Sequence, residues 1–443
     1  MKIFFISLGC DKNRVDSEKM LGVLCGADGG AYELTDDETR ADIAIVNTCG
    51  FVLDAKDESV SAILEMAELK EKGSLKALIV TGCLAQRYAG DIREEIPQVD
   101  AVLGTNSYDD IAFAIDSALK DDYYEEMKPL KGFPGIPARS RYVLPPYHYG
   151  YLKIAEGCDK RCTYCAIPAM RGSYRSVPMD DLLNEARFLA QSGVKELILV
   201  AQETTVYGID IYGKKCLPEL LERLSGIEDI EWIRLLYAYP EEITDELIDA
   251  ISRLDKVCKY IDMPIQHTCD DVLYKMGRRT RRSELKELIK KLRDRIPQIA
   301  IRTTLISGFP GETDADHDAQ LLFLKDMKLD RVGVFAYSPE EGTAAFDMDG
   351  QIADELKEAR KNEILKTQAG ISRRINETLV GKTMDVMNEG YIPDDEIYVG
   401  RSFRDAPDVD GYVFYTAPFP LMSGDITPVT ITEAGEYDLY GEA

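Results

Sequence analysis

Residues 157–165 read GCDKRCTYC, three cysteines in a CxxxCxxC spacing with Asp159, Lys160 and Arg161 between the first two. Three thiols so close in sequence can converge on one inorganic centre only if the backbone loops around it, and the short spacing enforces that loop. A structural zinc site wants four protein ligands, and the three histidines, His148, His267 and His317, are scattered. An iron-sulfur cube held by three thiolates leaves one iron open to an external ligand. Zinc stays as the plainer alternative.

The run lies just after YLKIAEG (151–157), the first of six apolar stretches that predict strands. The others are ELILVA (196–201), EWIRLLY (231–237), YIDMPI (260–265), IAIRTTLI (299–306) and DRVGVFAY (330–337). Amphipathic segments separate most of them, such as 179–192 with Leu182, Leu183, Ala186, Leu189 and Ala190 on one helical face. Six βα units over residues 150–375 predict an open, partial (βα)6 barrel, with chemistry at the carboxyl ends of its strands.

Upstream, residues 1–120 alternate short apolar runs with helical patterns. KIFFISLGC (2–10), ADIAIVNTC (41–49) and KALIVTGC (76–83) each read as a buried strand that ends at a cysteine, namely Cys10, Cys49 and Cys83. This alternation predicts a doubly wound α/β domain with a parallel sheet. Residues 121–149 carry Pro129, Pro134, Pro137, Pro145 and Pro146 and are expected to form a linker. Downstream, 353–377 predicts a connecting helix, and short β-like runs within 376–443 suggest a small five-stranded barrel.

The chain of 443 residues carries a net charge of −26, which argues against general nucleic-acid binding and suits a basic partner. Its ten cysteines, with no secretory signal, point to metal or redox chemistry rather than a disulfide framework. No apolar run is long enough to span a membrane, so a cytoplasmic protein without membrane attachment is expected.

Six motifs in order, SLGCDKNRVDSE (7–18), VNTCGF with AKDES (46–51, 55–59), TGC (81–83), GCDKRCTYCAIPAMRGSYRS (157–176), PIQH (264–267) and GFPGET (308–313), resemble the methylthiotransferase family of radical S-adenosylmethionine enzymes. The resemblance covers nearly the whole chain and implies an N-terminal cluster domain, a radical barrel and a C-terminal TRAM domain. It implies two 4Fe-4S clusters, one on Cys158, Cys162 and Cys165 and one on Cys10, Cys49 and Cys83. S-adenosylmethionine would fill the open iron position, with Tyr164 near its adenine. Three thiols at the carboxyl ends of neighbouring parallel strands would also face one crevice on physical grounds alone. Cys25, Cys216, Cys258 and Cys269 fit neither site.

The first motif, VNTCGF with AKDES, and GRSFRDAPDVDG (400–411) are similar to the RimO branch, which acts on an aspartate of small-subunit ribosomal protein twelve; the alternative is a tRNA adenosine. Residues 381–443 hold thirteen acidic residues against Lys382, Arg401 and Arg404, a local net of −10. That charge makes tRNA an unfavourable partner and suits a basic ribosomal protein, free or on the ribosome. The resemblance implies that one cluster, reduced by an external electron donor, cleaves S-adenosylmethionine to a radical that removes the aspartate β-hydrogen. The second cluster then delivers methylated sulfur. Further expected cofactor contacts are Gln202 and Glu203 after the second barrel strand, although the family more often shows Asp at position 203. Arg302 and Gly308, near the fifth strand and its turn, complete the set, each with a structural turn as the rival reading. His267 is a candidate substrate contact or a satisfied structural histidine. A four-thiolate-like electron carrier and a zinc-stabilised binding module are the non-enzymatic alternatives.

Overall fold

The computed structural model describes residues 1–26, 31–137 and 140–443. The N-terminal sheet has six strands, all parallel, in the order Glu33–Leu34, Lys2–Ser7, Ile43–Thr48, Ala77–Gly82, Ala101–Leu103 and Tyr124–Glu126. Ile43–Thr48 and Ala77–Gly82 are buried at every position. Their sequences are therefore continuous apolar runs, as a sheet with helices on both faces requires. The segment expected to be a linker supplies the last strand, Tyr124–Glu126, before its prolines prevent further pairing. Residues 138 and 139 of that segment lie outside the described residues.

The six expected barrel strands form at Tyr149–Lys153, Glu196–Val200, Trp232–Leu235, Tyr260–Asp262, Ala300–Ser307 and Arg331–Ala336. Two parallel ladders, each of three strands, meet where Cys258 N donates to Ile233 O at 2.9 Å and Ala238 N to Asp262 O at 2.8 Å. Among the described residues the first and last strands do not pair, so the barrel is open. Alternate positions point outward into a core shared with the surrounding helices, for example Leu152, Leu197, Leu199 and Leu235. The opposite positions, Tyr149, Tyr151, Ile198, Val200 and Tyr260, face inward.

Both flanking units close that interior. Val15, from the helix Asp11–Cys25, and Ala406, from the C-terminal unit, join the inward-facing cluster. The expected connecting helix, Asp354–Glu377, is part of the barrel: its Ile364 and Ile371 lie in the outer core. Beyond it, Thr383–Ile392, Ile397–Ser402, Val413–Thr416, Leu439–Glu442 and Ile426–Ala434 form a closed barrel in that spatial order.

Buried ion pairs fix the docking of this small barrel. Glu196 accepts from Arg234 at 2.6 Å and from Arg401 at 2.7 Å, with all three side chains inaccessible to solvent. Arg331 pairs with Asp405 at 2.8 Å and Arg404 with Asp330 at 2.6 Å. Removing one partner of a buried pair strands the other charge, at about 3–5 kcal/mol. Glu196→Ala is therefore expected to destabilise the protein by about that amount, read as a lower urea midpoint, because Arg234 loses its carboxylate.

Candidate active site

Cys158, Cys162 and Cys165 occupy the loop that leaves the first barrel strand. Gly157 turns it at φ +75°, and a Cβ there would lie 2.3 Å from Ser173 O, so only glycine permits this crossing. Cys158 N donates to Gly172 O at 3.1 Å and Thr163 N to Met276 O at 3.0 Å, which pins both limbs of the loop. The Cys162 thiol lies 2.7 Å from the Tyr239 hydroxyl. Arg278 stacks 3.8 Å from the centre of that Tyr239 ring. Burial pushes the Cys158 thiol up to about 11 and Cys165 up to about 12. Neither ionises readily without a metal to stabilise the thiolate.

A cavity of about 370 Å³ opens beside Cys158, bounded by Lys160, Tyr174, Glu203, Tyr239 and Glu241. Burial pushes the Glu203 carboxyl up to about 7, opposed by Lys160 at 3.5 Å. Its Oε1 accepts from Thr205, while Oε2 has no hydrogen-bond partner among the described residues. Gln202 Nε2 donates to Glu156 at 2.8 Å, and Gln202 Oε1 is likewise buried without a partner. These two orphaned acceptors are unspent binding capacity beside the thiol loop.

The second triad stands at the carboxyl ends of three adjacent parallel strands. Cys10 precedes the helix Asp11–Cys25, Cys49 follows Ile43–Thr48, and Cys83 opens the helix Cys83–Glu95. Gly9, at φ +88°, brings the first two together, since a Cβ there would sit 3.1 Å from Cys49 Sγ. Asn13 ties the strand ends by donating to Leu8 O and Thr48 O, both at 3.0 Å. Burial raises the Cys83 thiol and pushes Cys49 up to about 11.

The two triads are neighbours. Cys83 packs on Ala166 and Met170, which directly follow the barrel's thiol loop. Arg171 from the same loop donates through Nε to Cys83 Sγ at 3.4 Å and pairs with Asp16 at 2.7 Å and Glu156 at 3.1 Å. Lys153 completes the group, 2.7 Å from Glu156 and bonded to Asp16. Among the described residues no three Cys, His, Asp or Glu side chains already stand at metal-binding geometry. The fit of each triad to an iron-sulfur cluster rests on its all-thiol donor set and on the glycine crossings that let the thiols approach.

The other expected residues divide. Tyr164 packs with Cys269, Met276 and Phe309 at the thiol loop, and Gln202 and Glu203 reach the cavity side as described. Arg302 instead lies low in the barrel, 2.8 Å from Asp262 and 3.4 Å from Asp410 of the C-terminal unit. Gly308 faces the helix Asp354–Glu377, where a Cβ would fall 2.3 Å from Lys357 Cγ. His267 is fully buried, accepting from Cys269 N at 3.0 Å and lying 3.5 Å from Glu312. Tyr239, Arg278, Asn13 and Arg171 carry no assigned role in the sequence analysis. Asn13 and Arg171 lie inside recognised motifs, whereas the two others have no local signal.

An open six-stranded barrel with a thiol triad after its first strand defines a radical S-adenosylmethionine fold. Residues 152–324 match the family model of the Radical SAM superfamily, residues 2–104 that of the uncharacterized protein family UPF0004, and residues 380–443 that of the TRAM domain. A solved radical S-adenosylmethionine methyltransferase, TsrM from Kitasatospora setae, shares this fold with a TM-score of 0.53 at 15% identity, over 76% of this chain and 73% of its own. The ribosomal protein uS12 methylthiotransferase RimO of Lachnoclostridium phytofermentans is 56% identical over the full length of both chains. That of Acetivibrio thermocellus is 48% identical over all of this chain and 98% of its own. The chain belongs to the RimO family of radical S-adenosylmethionine methylthiotransferases. Enzymes of this family work with S-adenosylmethionine and two 4Fe-4S clusters.

Glu203 gives a pH signature. Its folded pKa of about 7 exceeds the ordinary 4.5, so the protonated carboxyl favours the folded state. That contribution is complete below about pH 4.5 and is lost as pH rises through 7. Glu203→Gln is expected to gain on the parent by roughly 2–3 kcal/mol across this interval, measured by urea unfolding of cluster-free protein at pH 5 to 8.

Proposed function

We propose that this enzyme transfers a methylthio group to the β-carbon of an aspartate in ribosomal protein uS12. Cys158, Cys162 and Cys165 would hold the cluster that engages S-adenosylmethionine, and Cys10, Cys49 and Cys83 the second. When bound, these groups supply homolytic removal of an unactivated hydrogen and a methylated sulfur, chemistry that no side-chain acid or base can provide.

The protein's part is placement and protection. Gln202 Oε1 and Glu203 Oε2, buried and unpartnered, are acceptors for the polar groups of the cofactor. Lys160, 3.5 Å from Glu203, keeps a positive charge at the cavity wall. The Cys162 thiol must turn from the Tyr239 hydroxyl to reach a metal, which leaves that hydroxyl free to donate into the site. The cavity walls exclude water, which protects a reactive intermediate. Arg302 and Gly308 are assigned to domain docking and helix packing rather than to the cofactor.

The observation that carries the choice of substrate is the fate of the cations in the C-terminal barrel. Arg401 and Arg404 are both buried in ion pairs with acidic residues, leaving Lys382 as the exposed cation of residues 381–443. Asp385, Asp394, Asp395, Glu396, Asp425 and Glu433 face solvent. A tRNA-binding surface needs cationic contacts to phosphate, whereas this one attracts a basic protein. The working units are 1–120, the connection 121–149, 150–375 and 376–443, and the three family-model spans fall inside them. Among the described residues no helix is long and apolar enough to cross a membrane. The reading places the enzyme in the cytoplasm, meeting uS12 free or on the ribosome and taking electrons from an external donor.

Mass spectrometry of uS12 from cells with and without the gene tests the reading. A methylthio-sized increase on one aspartate, present only with the gene, is the expected result; the same increment on tRNA adenosine would overturn it. Replacing either cysteine triad by alanine is expected to halve bound iron and sulfide in anaerobically reconstituted protein, measured by elemental and sulfide analysis.

A further inference from the structure

Arg171 belongs to the barrel's thiol loop by sequence, six residues past Cys165, yet its guanidinium lies against the other triad. Nε donates to Cys83 Sγ at 3.4 Å and Nη2 to Asn13, the residue that ties the strand ends carrying Cys10 and Cys49. Nη1 is held at 2.7 Å by Asp16 and at 3.1 Å by Glu156. The side chain is 2% exposed, so its orientation is set on every side by protein. Lys153 serves the same two carboxylates without bonding to sulfur. Among the described residues, Arg171 is the one cationic side chain that donates to any of the six thiols.

The geometry points to Arg171 as a positioning residue for the N-terminal cluster: it holds the Cys83 sulfur, supplies the counter-charge of a thiolate-bound centre and ties that centre to the radical loop. This rests on the reading that Cys10, Cys49 and Cys83 hold a cluster. A charge-assisted hydrogen bond to a ligand sulfur stabilises the reduced, more negative state, and so raises the reduction potential. Because the donor is rooted in the loop that carries Cys158, Cys162 and Cys165, the same bond fixes the separation across which sulfur must be handed over. A purely architectural arginine, pairing Asp16 with Glu156 to join the two units, would leave the electronic state of the cluster untouched.

The test uses the full chain with Cys158, Cys162 and Cys165 replaced by alanine, so that only the N-terminal cluster is reconstituted. With guanidino-15N arginine and dithionite reduction, pulsed electron paramagnetic resonance is expected to show a 15N coupling to the cluster that unlabelled protein lacks. Arg171→Lys, which keeps the charge but loses the fork, is expected to abolish that coupling and move the midpoint potential negative at unchanged iron content. A reduced cluster without arginine 15N coupling would overturn the inference, as would an Arg171→Lys cluster with the parent's potential. Should the lysine variant not fold, the labelled parent decides alone. Absence of any iron-sulfur signal in the triple variant would overturn the ligand assignment itself, and this inference with it.

Discussion

Asp16, Lys153, Glu156 and Arg171 form a buried, charge-balanced cluster of two acids and two bases at the join between the N-terminal sheet and the barrel. Its members cannot be separated cheaply, because each charge left alone in the interior carries an uncompensated desolvation penalty. Burial disfavours the Glu156 carboxylate, but Arg171 and Lys153 more than reverse this and hold it far below the usual carboxylate range. The group is therefore a set of fixed charges with directional bonds, which sets register as well as attraction. Arg141 repeats the device nearby, donating to Glu18 of the sheet unit at 2.7 Å and to Glu185 of the barrel at 2.8 Å. Both thiol triads inherit their mutual placement from these contacts.

The open barrel explains why such contacts are needed. A closed eight-unit barrel fills its own interior with side chains, whereas six units leave a seam and an exposed lumen. Here the lumen is finished by outsiders, Val15 from one side and Ala406 from the other. Tyr260 donates to Asp410 at 2.7 Å, and Arg302 reaches the same carboxylate. The C-terminal barrel thus uses its arginines inward, against Glu196 and Asp330. Its acidic surface is partly a consequence of how it docks: cations spent on the interface are not available to solvent, and a charge bias already present in composition becomes stronger at the surface.

Burial at the thiols works in the same direction on both sides of the join. Cys49 and Cys158 are each pushed up to about 11, so the polypeptide alone keeps them as protonated thiols at neutral pH. Metal binding must displace those protons, which couples ligation to the packing that created the shift. Gly9 and Gly157 make that packing possible by removing a Cβ where two backbones cross.

The architecture was legible in the sequence because its signals are local. Continuous apolar runs marked the parallel strands, the CxxxCxxC spacing marked the loop after the first barrel strand, and the motifs marked the family. The sequence also suggested Gln202 and Glu203, since residues just past a barrel strand face the site. Tertiary structure alone decided the rest. Tyr124–Glu126 forms a strand because the neighbouring edge at Ala101–Leu103 is open to pairing, a fact absent from its own composition. Arg302 looked like a cofactor contact from its strand, but Asp410, 108 positions later in the chain, lies against it. Arg171 and Cys83, 88 residues apart, meet only because two units dock through buried charges. Spacing along the chain encodes a loop's geometry, while contacts between distant segments depend on packing and desolvation that no single stretch of residues contains.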